Sequence, residues 1–188
     1  MQRPLRVTAI STAISLAALT VSAGVMPALA ADPGAASPGT DGAGDPTAVK
    51  SDSGLWTDKD GNPTFKVEKD GTVDWGTYIG FTRYSAECLR CHGPDGLGST
   101  YAPSLVDSLK HLSFPDFYAT VASGKQAVSS AQNLVMPALG QDKNVMCFIN
   151  QIYSYLRARS DDAVGRGRPE KHASKPEGYE KSVDACMG

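Results

Sequence analysis

The stretch Glu87–Gly98, ECLRCHGPDGLG, constrains this chain more than any other. Cys88 and Cys91 stand three apart, and His92 follows directly. Three chemistries use such a pair. A thioredoxin-type disulfide needs a strand–helix–strand setting, and the pattern around this pair is helical. A structural zinc site needs two further ligands at close spacing, and none is evident. The third is covalent attachment of a c-type haem, whose signature is C-x-x-C-H. Its spacing has a physical reason. Two thiols about one helical turn apart can each bond to one haem vinyl group, and the next residue then sets its imidazole under the iron.

Residues 1–30, MQRPLRVTAISTAISLAALTVSAGVMPALA, carry Arg3 and Arg6, then an apolar run, then Ala28-Leu29-Ala30. That order predicts a secretory signal peptide cleaved after Ala30. The other reading is a retained anchor. Ser11, Thr12, Ser15, Thr20 and Ser22 weaken it, and no second apolar stretch follows. No cysteine stands at the cleavage point to take a lipid. The mature protein is therefore expected to be soluble, without a membrane span, and exported to a bacterial periplasm. Loss of Arg3 and Arg6 takes the basic residues from 18 to 16 against 20 acidic ones, a net charge of −4. With no basic block and no aromatic–basic interleaving, nucleic acid is not an expected partner. In an oxidising compartment, a close cysteine pair that nothing else consumes forms a disulfide.

Residues 31–54, ADPGAASPGTDGAGDPTAVKSDSG, hold almost no large apolar side chain and predict a disordered leader. Residues 55–73 predict a small β-hairpin extension, with turn dipeptides Asp60-Gly61 and Asp70-Gly71 around the run Thr64–Val67. Asp58, Asp60 and Asn62 superficially suggest a calcium loop. The glycine falls at the wrong loop position and no glutamate closes the loop, so they are read as solvated turn residues. Residues 74–160 form the expected domain. Trp75, Tyr78, Ile79 and Phe81 recur at helical spacing up to the cysteine pair. Short helical pieces are expected around 102–112, 114–123 and 127–133. A last helix is expected in KNVMCFINQIYSYLRARS, with Val145, Phe148, Ile149, Ile152, Tyr155 and Leu156 on one stripe. Residues 161–188 are a charged, Gly/Pro-rich tail that nevertheless holds Cys186.

Gly80 lies eight residues before Cys88, and Tyr84 lies four before it. Tyr155 stands in IYSYLRAR, and Pro103 is eleven residues beyond His92. In these features the chain resembles the class I cytochromes c over about 74–160. The resemblance implies an all-α fold around one covalently bound haem c, attached through Cys88 and Cys91, with His92 as an axial iron ligand. It implies that Gly80 lets the N-terminal helix cross the C-terminal one closely, with aromatic side chains packed at the crossing. It also implies that the Pro103 carbonyl accepts from His92 Nδ1–H, which turns Nε2 to the iron.

The candidates for a sixth ligand are Met136, Met146, Met187, His111 and His172. Met136, in LVMPALG, precedes a proline and is therefore pushed out of helical geometry onto a loop. It lies 44 residues beyond His92, and a Met-Pro ligand loop recurs in the family. That pattern favours Met136 as the second axial ligand over a methionine that only fills the core. Met146 falls inside the last helix, His111 on a polar stretch and His172 in the tail. Trp75, Tyr101 and Phe117 either line the haem pocket or serve as ordinary core. Cys147 and Cys186 have no neighbouring histidine, so neither marks a second haem. A disulfide between them is the simplest account, against a free Cys186 or an intermolecular bridge. It would close a loop of 39 residues.

From about Asn62 to Gly188, both extra cysteines included, the chain is also similar to the periplasmic four-cysteine c-type cytochromes of methanol metabolism. These are the inducible cytochromes that accompany Xox-type methanol dehydrogenases. That resemblance implies a monomeric electron carrier rather than an enzyme. Its donor would be a PQQ-dependent methanol or alcohol dehydrogenase, and its acceptor a downstream cytochrome c or a terminal oxidase. The alternatives are a haem enzyme or sensor with a labile sixth ligand, or a cytochrome subunit of a stable dehydrogenase complex. Arg90, Lys125 and Lys143 are expected near the haem edge, and so are Asp95, Asp107 and Asp142. The sign of a docking face is thus left open.

Overall fold

A computed structural model describes residues 44–128 and 133–188. The expected signal peptide and most of the expected leader lie outside the described residues. The described part of that leader is ordered, which corrects the expectation for 44–54. Its strand β1 (Lys50–Asp52) pairs antiparallel with β2 (Leu55–Thr57), and β2 pairs with β3 (Pro63–Thr64). The reason is long-range. Thr64 Oγ1 donates to the Pro46 carbonyl at 2.6 Å, and Arg157 Nη2 donates to the Gly44 carbonyl at 2.8 Å. A polar segment that cannot build its own core is tied down by neighbours that composition does not reveal. Across Asp70-Gly71 there is only a single bridge, Val67 to Val73. Asp58 is not a solvated turn residue. It is 6% exposed and accepts from the backbone N–H groups of Asp60 and Asn62 at 2.9 and 2.8 Å.

Helix α1 (Trp75–Glu87) starts where Asp74 caps it, accepting from Thr77 N at 2.9 Å and Thr77 Oγ1 at 2.6 Å. Asp74 also accepts from Lys66 N at 2.8 Å, which ties the β-layer to the helix start. Burial raises the Asp74 carboxyl above its ordinary value, and the donors from Lys66 and Thr77 only partly offset this. Loss of this cap in Asp74→Ala is expected to cost about 1–2 kcal/mol in a denaturant titration. Asp74→Asn separates cap from charge. A carboxyl whose folded pKa is raised contributes stability that is full below the unfolded value of 3.8 and is lost as pH rises through the folded value. The asparagine variant should therefore gain on the wild type as pH rises through that window. A constant difference would refute the assignment.

Beyond α1 come α2 (Leu89–His92), a 3-10 turn at Pro94–Gly96, α3 (Leu105–Ser108) and α4 (Phe114–Ser123). Ser104 and Ser113 cap α3 and α4. Of the helical piece expected at 127–133, residues 129–132 lie outside the described residues, and residues 127, 128 and 133 are in strands rather than a helix. Strands β4 (Lys125–Val128) and β5 (Asn133–Met136) pair antiparallel instead, with Lys125 opposite Met136. Gly124, at φ 74°, stops α4 and turns the chain into the hairpin. Helix α5 (Lys143–Met146) and helix α6 (Ile149–Ser160) replace the single last helix that was expected. The break at Phe148 (φ −124°, ψ 11°) lets Val145 and Phe148 both enter the core while Cys147 bonds to Cys186. Cys186 lies on α7 (Tyr179–Met187).

The centre of the molecule is the crossing of α1 and α6. Tyr84, Ile152, Tyr153, Tyr155 and Leu156 are almost wholly buried there. Gly80 makes the crossing possible, because a Cβ at this position would lie 1.9 Å from the Gln151 carbonyl oxygen and 2.8 Å from Tyr155 Cβ. Phe81 and Tyr84 pack on the Tyr155 ring at centroid distances of 5.5 and 5.6 Å. The tail returns over the start of α1. Val73 N donates to Lys171 O, Ala173 N donates to Val73 O, and the His172 ring stacks on Tyr78. Among the described residues no helix is long and apolar enough to cross a membrane.

Candidate haem-binding site

Cys88 ends α1 and begins α2. Its carbonyl accepts from Cys91 N at 3.1 Å and from His92 N at 2.9 Å, so the two thiols sit one helical turn apart. Both cysteines are free, Cys91 exposed and Cys88 half-buried. Burial, then the charges of Glu87 and Cys91, push the Cys88 thiol up to about 12. Gly93 turns the chain out of α2 at φ 73°, where an added Cβ would strike the Gly98 carbonyl at 2.2 Å. Gly98 N donates to His92 O at 2.8 Å and closes the loop. Tyr84 Oη reaches from the helix crossing to donate to Gly93 O at 2.5 Å. The core of the fold thus braces the end of the motif.

His92 is 8% exposed, and its Nδ1 lies 3.0 Å from the Pro103 carbonyl oxygen. A carbonyl can only accept, so Nδ1 carries the hydrogen and Nε2 keeps its lone pair. Burial lowers the imidazole pKa, against the opposing pull of the Pro103 carbonyl. The ring is therefore held neutral, with one nitrogen free to bind a metal. Cys88, Cys91 and His92 do not gather into a cluster that could hold a metal ion directly.

Met136 is the last residue of β5, half-buried, with Pro137 behind it. The extended backbone that proline demands appears as a strand end rather than a loop. Phe117 packs on Tyr153, and Trp75 packs on Tyr78, His172 and Tyr179, so both belong to the core and the tail contact. Tyr101 is 72% exposed. Leu89 and Leu97, in the motif and its loop, are also left exposed. Such side chains cost free energy in water and suit a flat apolar group that covers them. Two free thiols one helical turn apart and an oriented imidazole next to them fit a covalently attached haem. His111 and His172 are exposed where His92 is buried, and although His172 Nδ1 also meets a carbonyl, that of Ala173 at 2.9 Å, its ring is stacked on Tyr78.

No protein-family model matches the chain. The crystal structure of the c-type cytochrome XoxG from Methylobacterium extorquens AM1 superposes with a TM-score of 0.69 at 52% identity, covering 75% of this chain and 86% of that one. Cytochrome c-555 of Methylococcus capsulatus is 39% identical over 100 residues, 53% of this chain and 75% of that protein. The chain belongs to the class I c-type cytochromes. Cytochrome c-553I of Paracoccus denitrificans is 49% identical over 136 residues, which span 72% of this cytochrome but 60% of that protein's length. Haem c is the group that this family carries, and its members transfer electrons.

The cytochrome also holds a feature of its haem loop that sequence reasoning missed. Asp95, placed above among the charges of the haem edge, points inward. Its carboxylate accepts from Arg166 Nε at 3.0 Å and from Gly167 N at 2.8 Å. Burial opposes ionisation, but the Gly167 and Arg166 donors together hold the carboxyl below its ordinary range. The Asp95-Gly96 dipeptide signals a turn, and Asp95 does adopt φ 60°. Its partners lie 71 and 72 residues away, where local patterning gives no sign of them. Lys143 donates to the Met187 carbonyl, Asp107 pairs with Lys110, and Asp142 caps α5. Of the six charges, Arg90 and Lys125 are the exposed ones with no such role among the described residues.

Proposed function

We propose that this cytochrome binds one haem c through Cys88 and Cys91, with His92 and Met136 as axial ligands, and works as a periplasmic one-electron carrier. Its donor in this reading is a PQQ-dependent methanol or alcohol dehydrogenase. Its acceptor is a downstream cytochrome c or a terminal oxidase. The observation that carries the site is the 3.0 Å contact between His92 Nδ1 and the Pro103 carbonyl. It presents Nε2, and a buried imidazole so presented is a ligand in waiting. The methanol link rests on the likeness to XoxG.

When bound, the haem supplies exchange of one electron between its ferric and ferrous states. The chain's own residues decide how. Cys88 and Cys91 hold the group covalently, so it is retained through every cycle. The Pro103 carbonyl keeps the His92 tautomer constant in both states. Met136 would supply the second protein ligand to the iron, which would exclude small ligands and raise the reduction potential relative to a second histidine. Leu97 and Tyr101 border the exposed edge of the motif, where a partner can approach.

Two measurements test this. Met136→Ala should abolish the sulfur-to-iron charge-transfer band of the ferric protein and lower its reduction potential. An unchanged spectrum would remove Met136 from the site. Stopped-flow reduction of the ferric protein by a PQQ methanol dehydrogenase and methanol, over several salt concentrations, tests the donor. Fast, saturable reduction is expected, with a salt slope that reports charge steering. A dehydrogenase that is active with an artificial acceptor but does not reduce this cytochrome would overturn the methanol assignment.

A further inference from the structure

Gly124 stands between α4 and β4, and the backbone of the Met136 segment occupies the space where its side chain would be. Its angles, φ 74° and ψ 176°, lie in a region that is essentially restricted to glycine. A Cβ built there would fall 2.6 Å from the Met136 carbonyl oxygen, 2.7 Å from Ala138 N and 2.9 Å from the Pro137 carbonyl carbon. All three are main-chain atoms and cannot rotate away. The contact is held from both sides. Leu139 N donates to Val121 O and Gly140 N to Ala122 O, each at 3.0 Å, so the chain leaving Met136 is bonded to the last turn of α4. Helix α4 is itself anchored, with Phe117 and Val121 buried and Phe117 packed on Tyr153 of α6.

We propose that Gly124 is the positioning residue for Met136: by bringing no side chain, it lets the end of α4 serve as a backbone seat that fixes where the thioether starts. The inference rests on Met136 being the sixth ligand. Ordinary Cβ contacts begin near 3.4 Å, so an alanine at 124 would have to move the Met136 carbonyl by roughly 0.8 Å. A ligand set has to be held within about 0.5 Å of its working geometry, which is less than that displacement. The methionine side chain is flexible, but its main-chain origin is not, because Pro137 locks the next φ. On this view α4, rather than the β4–β5 hairpin, governs how firmly the sixth ligand is held.

The test uses the holoprotein with imidazole as a competing ligand. Gly124→Ala should weaken or abolish the sulfur-to-iron charge-transfer band and tighten imidazole binding at least about tenfold, since apparent affinity scales with the fraction of protein whose site is open. Gly71→Ala is the control. Gly71 has φ 84° with nothing within 4 Å of an added Cβ, so it carries the cost of a positive φ without the contact. Its band and imidazole affinity should match the wild type. Gly140→Ala presses on the same seat, 2.8 Å from Ala122 O, without a left-handed φ, and should shift imidazole affinity in the same direction by less. A folded Gly124→Ala protein with an intact band and wild-type imidazole affinity would overturn the proposal. If Gly124→Ala yields no holoprotein, an unchanged affinity in Gly140→Ala would overturn it instead. Failure of the ligand assignment looks different: Met136→Ala would then keep the wild-type band and imidazole affinity.

Discussion

Gly80→Ala is expected to destabilise the cytochrome by about 3 kcal/mol, more than an inserted methyl group costs in most cores. The new Cβ would lie 1.9 Å from the Gln151 carbonyl oxygen, 2.6 Å from its carbon and 2.8 Å from Tyr155 Cβ. Two of these atoms are helix backbone, so relief requires α1 and α6 to move apart. Their separation would uncover Tyr84, Tyr155 and Leu156, which are wholly buried between them. Alanine's better helix propensity returns at most about 1 kcal/mol. The damage should also reach the site, because Tyr84 carries the bond to Gly93 at the end of the haem motif. Chemical denaturation of the holoprotein measures the effect. Gly165→Ala, with no neighbour within 4 Å, is the control and should be close to neutral. Equal midpoints for the two variants would mean that the crossing tolerates a side chain at position 80.

Replacing both Cys147 and Cys186 by alanine should have the second large effect, and a localised one. The bond spans 39 residues, and closing a loop of that length is worth roughly 3–4 kcal/mol in the chain-entropy account. The loss should not spread evenly along the tail. Lys171 and Ala173 are bonded to Val73, and Arg166 and Gly167 to Asp95, without help from the disulfide. Helix α7 has weaker moorings. Tyr179 packs on Trp75, Val183 and Met187 are only partly buried, and the Lys143–Met187 bond is exposed. Hydrogen exchange on the double variant should therefore show protection lost across 179–187 and kept across 166–173. Uniform loss would mean that the disulfide holds the whole tail. An unchanged midpoint would mean that the native contacts already hold α7.

Much of the site was legible because its geometry is local. The Cys88–Cys91–His92 spacing needs one turn of helix and little else. Met136 lies before a proline, and that neighbour disfavours helical backbone. Gly80, Tyr84 and Tyr155 could be matched to a family pattern, and the α1–α6 crossing puts them together. The misreadings share a cause. Residues 127–133 scan as a weak helix, but residues 127, 128 and 133 take strand partners across the hairpin, a choice made by the Gly124 turn and the register with Met136. Lys50–Asp52 scans as leader, yet β2 lies beside it. Asp58 and Asp95 scan as solvated charges, yet each is turned inward to backbone donors.

The amino-acid sequence by itself determined which atoms could attach and ligate a haem, since thiols one turn apart, the adjoining imidazole and a methionine before proline follow from spacing and covalent constraint. Only the tertiary structure decided how those atoms are held. The His92 tautomer depends on a carbonyl eleven residues away, the haem loop on Arg166 and Gly167, and the Met136 backbone on the bare end of α4 at Gly124. Spacing propagates along the chain for a turn or two. Hydrogen-bond partners and steric exclusion between distant segments exist only after the chain has closed on itself.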